Sequence, residues 1–376
     1  MNQTFSYLSL NGICSHTFSY GVSSQCKSFS LFSSYFTKLT LPFRGYIDSS
    51  KFSFHRNVFR SIIGSCIHIS QIEGVQISTR TTFLSESSVD VKYCCFYSVD
   101  SVNTMGALYI QGDSTSAIIS NCYFDSCKSS NACADVYCKT LSLDISRVLS
   151  QNCQAKYQLD TLPASSMSLL SKNHQSSDIS IYGMKATSVN GPIYYSMTTG
   201  TQYGTNLSDC SASFGDHYCS GIVYKEALGF NTSYTQMVKC PGNAGIAFIN
   251  AQGFIKFLSV IKSSISYVII AASGNQPGIE NSFFGQNSIS KLFYNLGASN
   301  SLVFSGCQFD IAQSSSYFSS GCTFSNCAFS VASLPTDAFT AYNVMSCPKP
   351  EDIHKSKAFQ KQFVSITLYS ALMIIS

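Results

Sequence analysis

Short alternating stretches that close on the same kind of corner recur along this chain, and they constrain its fold more than any other feature. Ile118–Cys127 (Ile-Ile-Ser-Asn-Cys-Tyr-Phe-Asp-Ser-Cys) is one, a strand of alternating character that ends in Phe-x-x-Cys. The corner returns as Phe54-His-Arg-Asn57, Phe284-Gly-Gln-Asn287 and Phe324-Ser-Asn-Cys327. Ile67-His-Ile69, Leu108-Tyr-Ile110 and Ile179-Ser-Ile181 are further alternating pieces, most such pieces being bounded by Gly, Asn, Ser or Asp. A period of two sends successive side chains to opposite faces of a strand. Pieces this short and this close leave no room for the crossover helices of an α/β sheet.

Spacing decides between the two architectures that remain, a sandwich array and a coil of parallel strands. Corners taken at Phe124, Leu149, Met237, Val260, Phe284 and Phe309 lie 25 residues apart at the first step and 23, 24 and 25 apart across the last four. The 88 residues between Leu149 and Met237 leave room for four coils, with Met184 and Leu207 as corners. A period in the low twenties is the signature of a solenoid. The expected fold is all-β, a single right-handed parallel β-helix over residues 1–347. It would have about 12–14 rungs and a length on the order of 60 Å at about 4.8 Å per rung. Its inward ladder is expected at Phe54, Asn57, Phe124, Cys127, Leu149, Asn152, Phe284, Asn287, Phe309, Phe324 and Cys327. A buried Asn at the corner can bond backbone groups of neighbouring turns, and Cys or Ser is a smaller substitute. Leu159–Ser177 breaks the pattern and reads as a protruding loop, and Val268–Ala272 reads as a buried strand.

Composition narrows the setting. Only 11% of residues are charged, while Phe (28) and Tyr (22) abound and Trp is absent. Solubility then comes from hydroxyls and amides, as in extracellular β-proteins. A net charge of +4 without a basic run gives no nucleic-acid footprint. The 17 cysteines include the C-x4-C pairs Cys122/Cys127, Cys133/Cys138 and Cys322/Cys327. That spacing suits half a zinc site, but with six histidines in the chain and strand-like intervening residues the favoured reading is small buried cysteines and some disulfides, with no metal and no cofactor. The start at Met1–Phe5 carries no recognisable signal peptide. Two readings stay open: a piece of a longer surface protein, or an intracellular chain. Residues 348–362 read as a charged linker. Phe363–Ile375, within the apolar segment 363–376, is short for a membrane span. It is read as a truncated span, a lipid-anchor tail or a capping helix, with membrane association favoured. Asn2, Asn206 and Asn231 head acceptor patterns for N-glycans.

The corners resemble those of the polymorphic outer-membrane-protein-like β-helix proteins, a surface family of chlamydiae and trichomonad-type protists. Phe54–Asn57 and Phe284–Asn287 match its Phe-x-x-Asn corner. Gly106-Ala-Leu-Tyr-Ile110 stands where its Gly-Gly-Ala-Ile strand would, one Gly short, with Asn121-Cys-Tyr-Phe124 following at the expected distance. Other corners carry Cys or Ser for Asn. The resemblance covers residues 45–330 loosely. It implies a pectate-lyase-like solenoid at the cell surface or outside the cell, adhesion or antigenic display, and no catalytic residues to carry over.

Because many β-helices act on polysaccharides, a lyase or glycoside hydrolase is the rival reading. Such enzymes need clustered carboxylates or acidic calcium ligands, and the 19 acids here form no Asp-Asp cluster. The nearest candidate is Asp216 with His217, followed by Lys225 and Glu226. The favoured expectation is a non-catalytic surface rod that binds a host or matrix glycan or protein. A structural fragment of a longer protein is the third reading.

Overall fold

The computed structural model describes residues 2–11, 18–19, 28–40, 42–46, 51–70, 87–101, 106–130, 133–155, 165–186, 191–212, 219–272, 277–296 and 301–332. Every named element in them is a β-strand, and every strand pairing is parallel, as in Leu31↔Phe54 and Phe54↔Val91. The chain is a parallel β-solenoid. One line of paired residues can be followed from rung to rung: Thr4, Ser30, Ser53, Asp90, Ile118, Asp144, Gln175, Thr201, Asn231, Phe254, Gly278, Val303 and Thr323. Those thirteen levels, at about 4.8 Å each, give a rod of roughly 60 Å.

The rungs between Leu31 and Asn287 each turn two sharp corners of the same design. At both, an inward residue is followed by one outward residue, one residue in the left-handed region, and one more inward residue. At the first corner the left-handed residues are Arg56, Tyr93, Asn121, Arg147, Asp178, Gly204, Tyr234 and their counterparts. At the second they include Ser98, Ser126, Asn152, Gly183, Asp209 and Lys239. A left-handed non-glycine costs about 1–2 kcal/mol. The cost is borne because the amide of that residue is aimed at the next rung: Arg56 N–H donates to the Lys92 carbonyl at 3.0 Å and Asn152 N–H to that of Tyr182 at 2.9 Å.

The inward residues before the corners stack into two ladders. Leu31, Phe54, Val91, Ile119 and Ile145 lead the first, which resumes at Ile255, Ile279, Phe304 and Phe324. The second runs Phe36, Phe59, Phe96, Phe124, Ser150, Ile181, Leu207, Met237, Val260, Phe284, Phe309. Its rings pile flat on one another, Phe59 on Phe96 at 5.2 Å and 7° and Phe96 on Phe124 at 4.6 Å and 4°. A third inward file, from Ile67 through Leu108, Val136, Met167 and Ile193 to Ile222, Ile246 and Ile269, closes the apolar bore.

The inward residues after the corners do what the sequence pattern asked of them. Asn57 Nδ2–H donates to the Leu31 carbonyl at 2.9 Å while its Oδ1 accepts from Ser34 N–H at 3.0 Å. Asn287 repeats this with Val260 (2.7 Å) and Ser263 (2.9 Å). Cys94 and Cys122 donate through sulfur to the carbonyls of Phe54 and Val91, both at 3.5 Å. Ser263 and Ser282 accept the amides of Cys240 and Leu258 at 3.1 and 3.0 Å. Asn, Ser and Cys are thus three ways of satisfying the same buried backbone groups.

Four expectations need correction. Phe54–Asn57 and Phe324–Cys327 lie at the first corner, whereas Phe124–Cys127, Phe284–Asn287 and Phe309 lie at the second, so the motif marks two places per rung. Leu149 and Asn152 are one residue out of phase. Leu149 pairs with Tyr123 on the outward file, Ser150 takes the ladder place beside Phe124, and Asn152 is the exposed left-handed residue before inward Cys153. A period of two makes a one-residue slip a change of face. Between Ser150 and Met237 the ladder holds Ile181 and Leu207, three steps rather than four coils, because these rungs are longer; Met184 sits after its corner, not before it. Finally, Ser165–Tyr182 is an 18-residue strand, so most of the expected loop belongs to the wall. Val268–Ala272 is strand, as expected. Residues 333–347, the linker 348–362 and the segment 363–376 lie outside the described residues.

Candidate functional site

The first corner puts its left-handed residue at a vertex of the rod, and where that residue is aromatic the ring is presented to solvent. Tyr234 is such a residue and is 37% exposed. Tyr203 from the rung before lies 5.0 Å from it, ring to ring, and Phe257, the left-handed residue of the rung after, stacks on it at 4.8 Å and 18°. Tyr203 and Phe254 are 42% and 52% exposed, too much for rings that merely complete a core. Gly278 permits this: a Cβ there would lie 2.6 Å from the Phe254 ring. Beside the ridge Lys256 and Glu280 pair at 2.9 Å across two rungs. The result is an exposed aromatic ridge over three rungs, with a charged pair at its edge.

Asn231 stands on the same line, between Thr201 and Phe254, and is exposed. Asn206 is half-buried and its Oδ1 accepts from the Ser208 hydroxyl at 3.2 Å. Asn2 opens the first strand, Asn2–Ser6. Asp216 and His217 lie outside the described residues, while Lys225 ends the strand Cys219–Lys225 and Glu226 is exposed at the turn after it. Among the described residues no helix is long and apolar enough to cross a membrane, and Phe363–Ile375 lies beyond them.

Inside the bore, two groups of polar residues interrupt the ladders, and neither was read from the sequence. In the first ladder Ser176, Gln202 and Thr232 replace the aliphatic residues between Ile145 and Ile255. The room they leave admits His174 and the hydroxyls of Tyr195 and Tyr224. Tyr224 O–H donates to Gln202 Oε1 at 2.9 Å, and Gln202 Nε2–H to Thr205 Oγ1 at 2.5 Å. His174 packs edge-on to Tyr195 at 5.0 Å, with neither ring nitrogen hydrogen-bonded, and burial pulls its pKa down to about 3. His68, stacked on Tyr109 at 4.4 Å, is lowered to about 4 by burial and by Arg44.

The second group surrounds Ser150, the gap in the phenylalanine ladder. Asp135, fully buried, turns Oδ2 toward the hydroxyls of Ser150 (2.5 Å) and Ser166, which both donate to it. Cys127 and Cys153, stacked on successive rungs, complete the group, and one ligand-type atom from each of Cys127, Asp135 and Cys153 lies within 4.8 Å of the others. The C-x4-C pairs of the sequence do not make such groupings: Cys122 and Cys127 belong to different corners, and the cysteine beside Cys127 is 26 residues on. Cys95 is disulfide-bonded, whereas Cys122, Cys127, Cys138 and Cys153 are free thiols.

No protein-family model matches this chain, and no curated protein matches it in sequence.

Proposed function

We propose that this protein is a non-catalytic binding or display rod of the cell surface, whose partner is a host or matrix glycan or a glycoprotein. The observation that carries the reading is the ridge of Tyr203, Tyr234 and Phe257, with Phe254 exposed on the neighbouring line of the same wall, on the outside of a hydrogen-bonded solenoid. Exposed aromatic faces bury large apolar area at low entropic cost, and Tyr adds a polar tip. They are set on a rigid wall, so little ordering is needed on binding. Two of the strongly shifted titratable groups, Asp135 and His174, sit in the bore, away from a polymer in solvent, whereas His68 lies half-buried on the wall beside Tyr109.

The surface assignment rests on the resemblance at the corners and on the composition. A glycan on Asn231 would stand on the line of Phe254 and bear on what the ridge can reach, so the test uses protein with and without Asn231→Gln. Binding to arrayed glycans and to matrix glycoproteins is compared for the native ridge and for Tyr203→Ala/Tyr234→Ala/Phe254→Ala. At least a tenfold loss in the triple variant is expected. Undiminished binding would overturn the assignment of the ridge. Release of reducing sugar from pectic or glycosaminoglycan chains, abolished by Asp216→Ala, would overturn the non-catalytic reading in favour of a lyase or hydrolase.

A further inference from the structure

We propose that Cys127, Asp135 and Cys153 form a structural site for a thiophilic divalent ion of the zinc class, enclosed in the bore of the solenoid. Two sulfurs and a carboxylate oxygen are a recognised donor set for such an ion, at about 2.3 Å for sulfur and about 2.0–2.2 Å for oxygen. At a tetrahedral angle two such sulfurs stand about 3.8 Å apart. The three ligand-type atoms, all within 4.8 Å of one another, therefore need only a small contraction to close on one ion.

Three features of the chain are explained together by this assignment. The first is the carboxylate: Asp135 is the one fully buried acid among the described residues, and its Oδ1 has no hydrogen-bond partner. A buried carboxylate with one oxygen left unbonded is costly and is ordinarily matched by a cation or a proton. The second is the support of its other oxygen. Ser150 and Ser166 donate to Oδ2 and lie 3.1 Å from each other. That is the outer-shell bonding which orients a ligating carboxylate, and the same hydroxyls are the groups at hand for a fourth place. The third is the interruption of the phenylalanine ladder at Ser150, directly below Phe124. A ring at this level would fill the space that the group occupies. Metal binding would displace the protons of the two thiols, and the site is closed, so loading accompanies folding.

The fold supplies its own controls. Cys210 and Cys240 also stack on successive rungs at the second corner, with no carboxylate grouped with them among the described residues. The chain is unfolded in denaturant with a thiol reductant and refolded with cobalt(II) as a spectroscopic probe. The wild type is expected to hold one cobalt per chain, with thiolate-to-cobalt charge-transfer absorption and the visible bands of a four-coordinate ion. Cys153→Ser and the isosteric Asp135→Asn are expected to lose the charge-transfer band or weaken binding at least tenfold, and Cys210→Ser/Cys240→Ser to retain the wild-type spectrum. A wild type that refolds to its β-rich circular dichroism without binding cobalt overturns the proposal, whatever the variants do. So does equal retention in Asp135→Asn and Cys153→Ser, or a spectrum lost in Cys210→Ser/Cys240→Ser and kept in the other two. The experiment does not depend on the ridge or on any external partner.

Discussion

Replacing Asn57 by alanine tests the corner chemistry at its best-defined point. The side chain is fully buried and bridges two rungs, accepting from Ser34 N–H at 3.0 Å and donating to the Leu31 carbonyl at 2.9 Å. Alanine removes both bonds and supplies no water in their place. A buried group left without its partner costs about 1–3 kcal/mol, so the pair comes to about 2–6 kcal/mol. That is a large share of the 5–15 kcal/mol or so by which domains are stable. The corners themselves rank the replacements. Serine at this position accepts the amide of the preceding rung, as Ser263 and Ser282 do, whereas cysteine reaches chiefly the carbonyl, as Cys94 does at 3.5 Å. Stability is therefore expected to fall in the order Asn57, Asn57→Ser, Asn57→Cys, Asn57→Ala. Urea unfolding followed by circular dichroism gives the free energies, and hydrogen exchange at Ser34 N–H should accelerate in the same order. An alanine variant within about 0.5 kcal/mol of the wild type, or serine no better than alanine, would refute the reasoning.

Three further outcomes follow from the same structure. His174 has a folded pKa of about 3 against 6.5 when exposed, so the unfolded chain binds more protons between those values and stability falls as pH drops through that window. At about 1.4 kcal/mol per tenfold the loss approaches 5 kcal/mol, and His174→Leu should flatten this part of a pH series of urea midpoints. Gly253→Ala would place a Cβ 2.1 Å from the Phe230 carbonyl oxygen, in backbone that cannot yield without breaking the rung; a loss of about 2 kcal/mol or more is expected by thermal unfolding. Leu149→Ser on the outward file should cost less than about 1.5 kcal/mol, while Ser150→Leu inside should cost more, through overpacking against Asp135 and Ser166.

The solenoid was legible because its walls are built from alternation and its corners from a motif, and both are local. Phe54–Asn57 and Phe284–Asn287 announce themselves in any reading of the chain. That they occupy two different corners was not legible, since both corners use one left-handed residue between two inward ones. Leu149 and Asn152 imitate the motif one residue out of phase, and only the register with Tyr123 and Phe124 reveals the slip. The polar groups in the bore were hidden for a related reason. Ser150, Ser176 and Gln202 look like surface residues in sequence, and their inward position depends on the rungs above and below. Cys127 and Cys153 come together only because one whole turn separates them. A period applied to cysteines, rather than a short Cys-x-x-x-x-Cys spacing, could have paired them. The exposed ridge had a partial signal: Tyr203 is outward by alternation, but Tyr234 and Phe257 take the left-handed place at the corner, where alternation breaks, and their stacking depends on the rungs on either side.

The central claim, that successive coils stack in parallel into one straight rod, is tested most directly by distances between spin labels on a single line of outward residues. Thr4, Asn231 and Val303 lie on one line, eight steps separating the first two and eleven the first and last. At about 4.8 Å per step, label pairs at 4/231 and 4/303 should read about 38 Å and about 53 Å. A 4/303 distance no longer than the 4/231 distance would contradict the stacked rod.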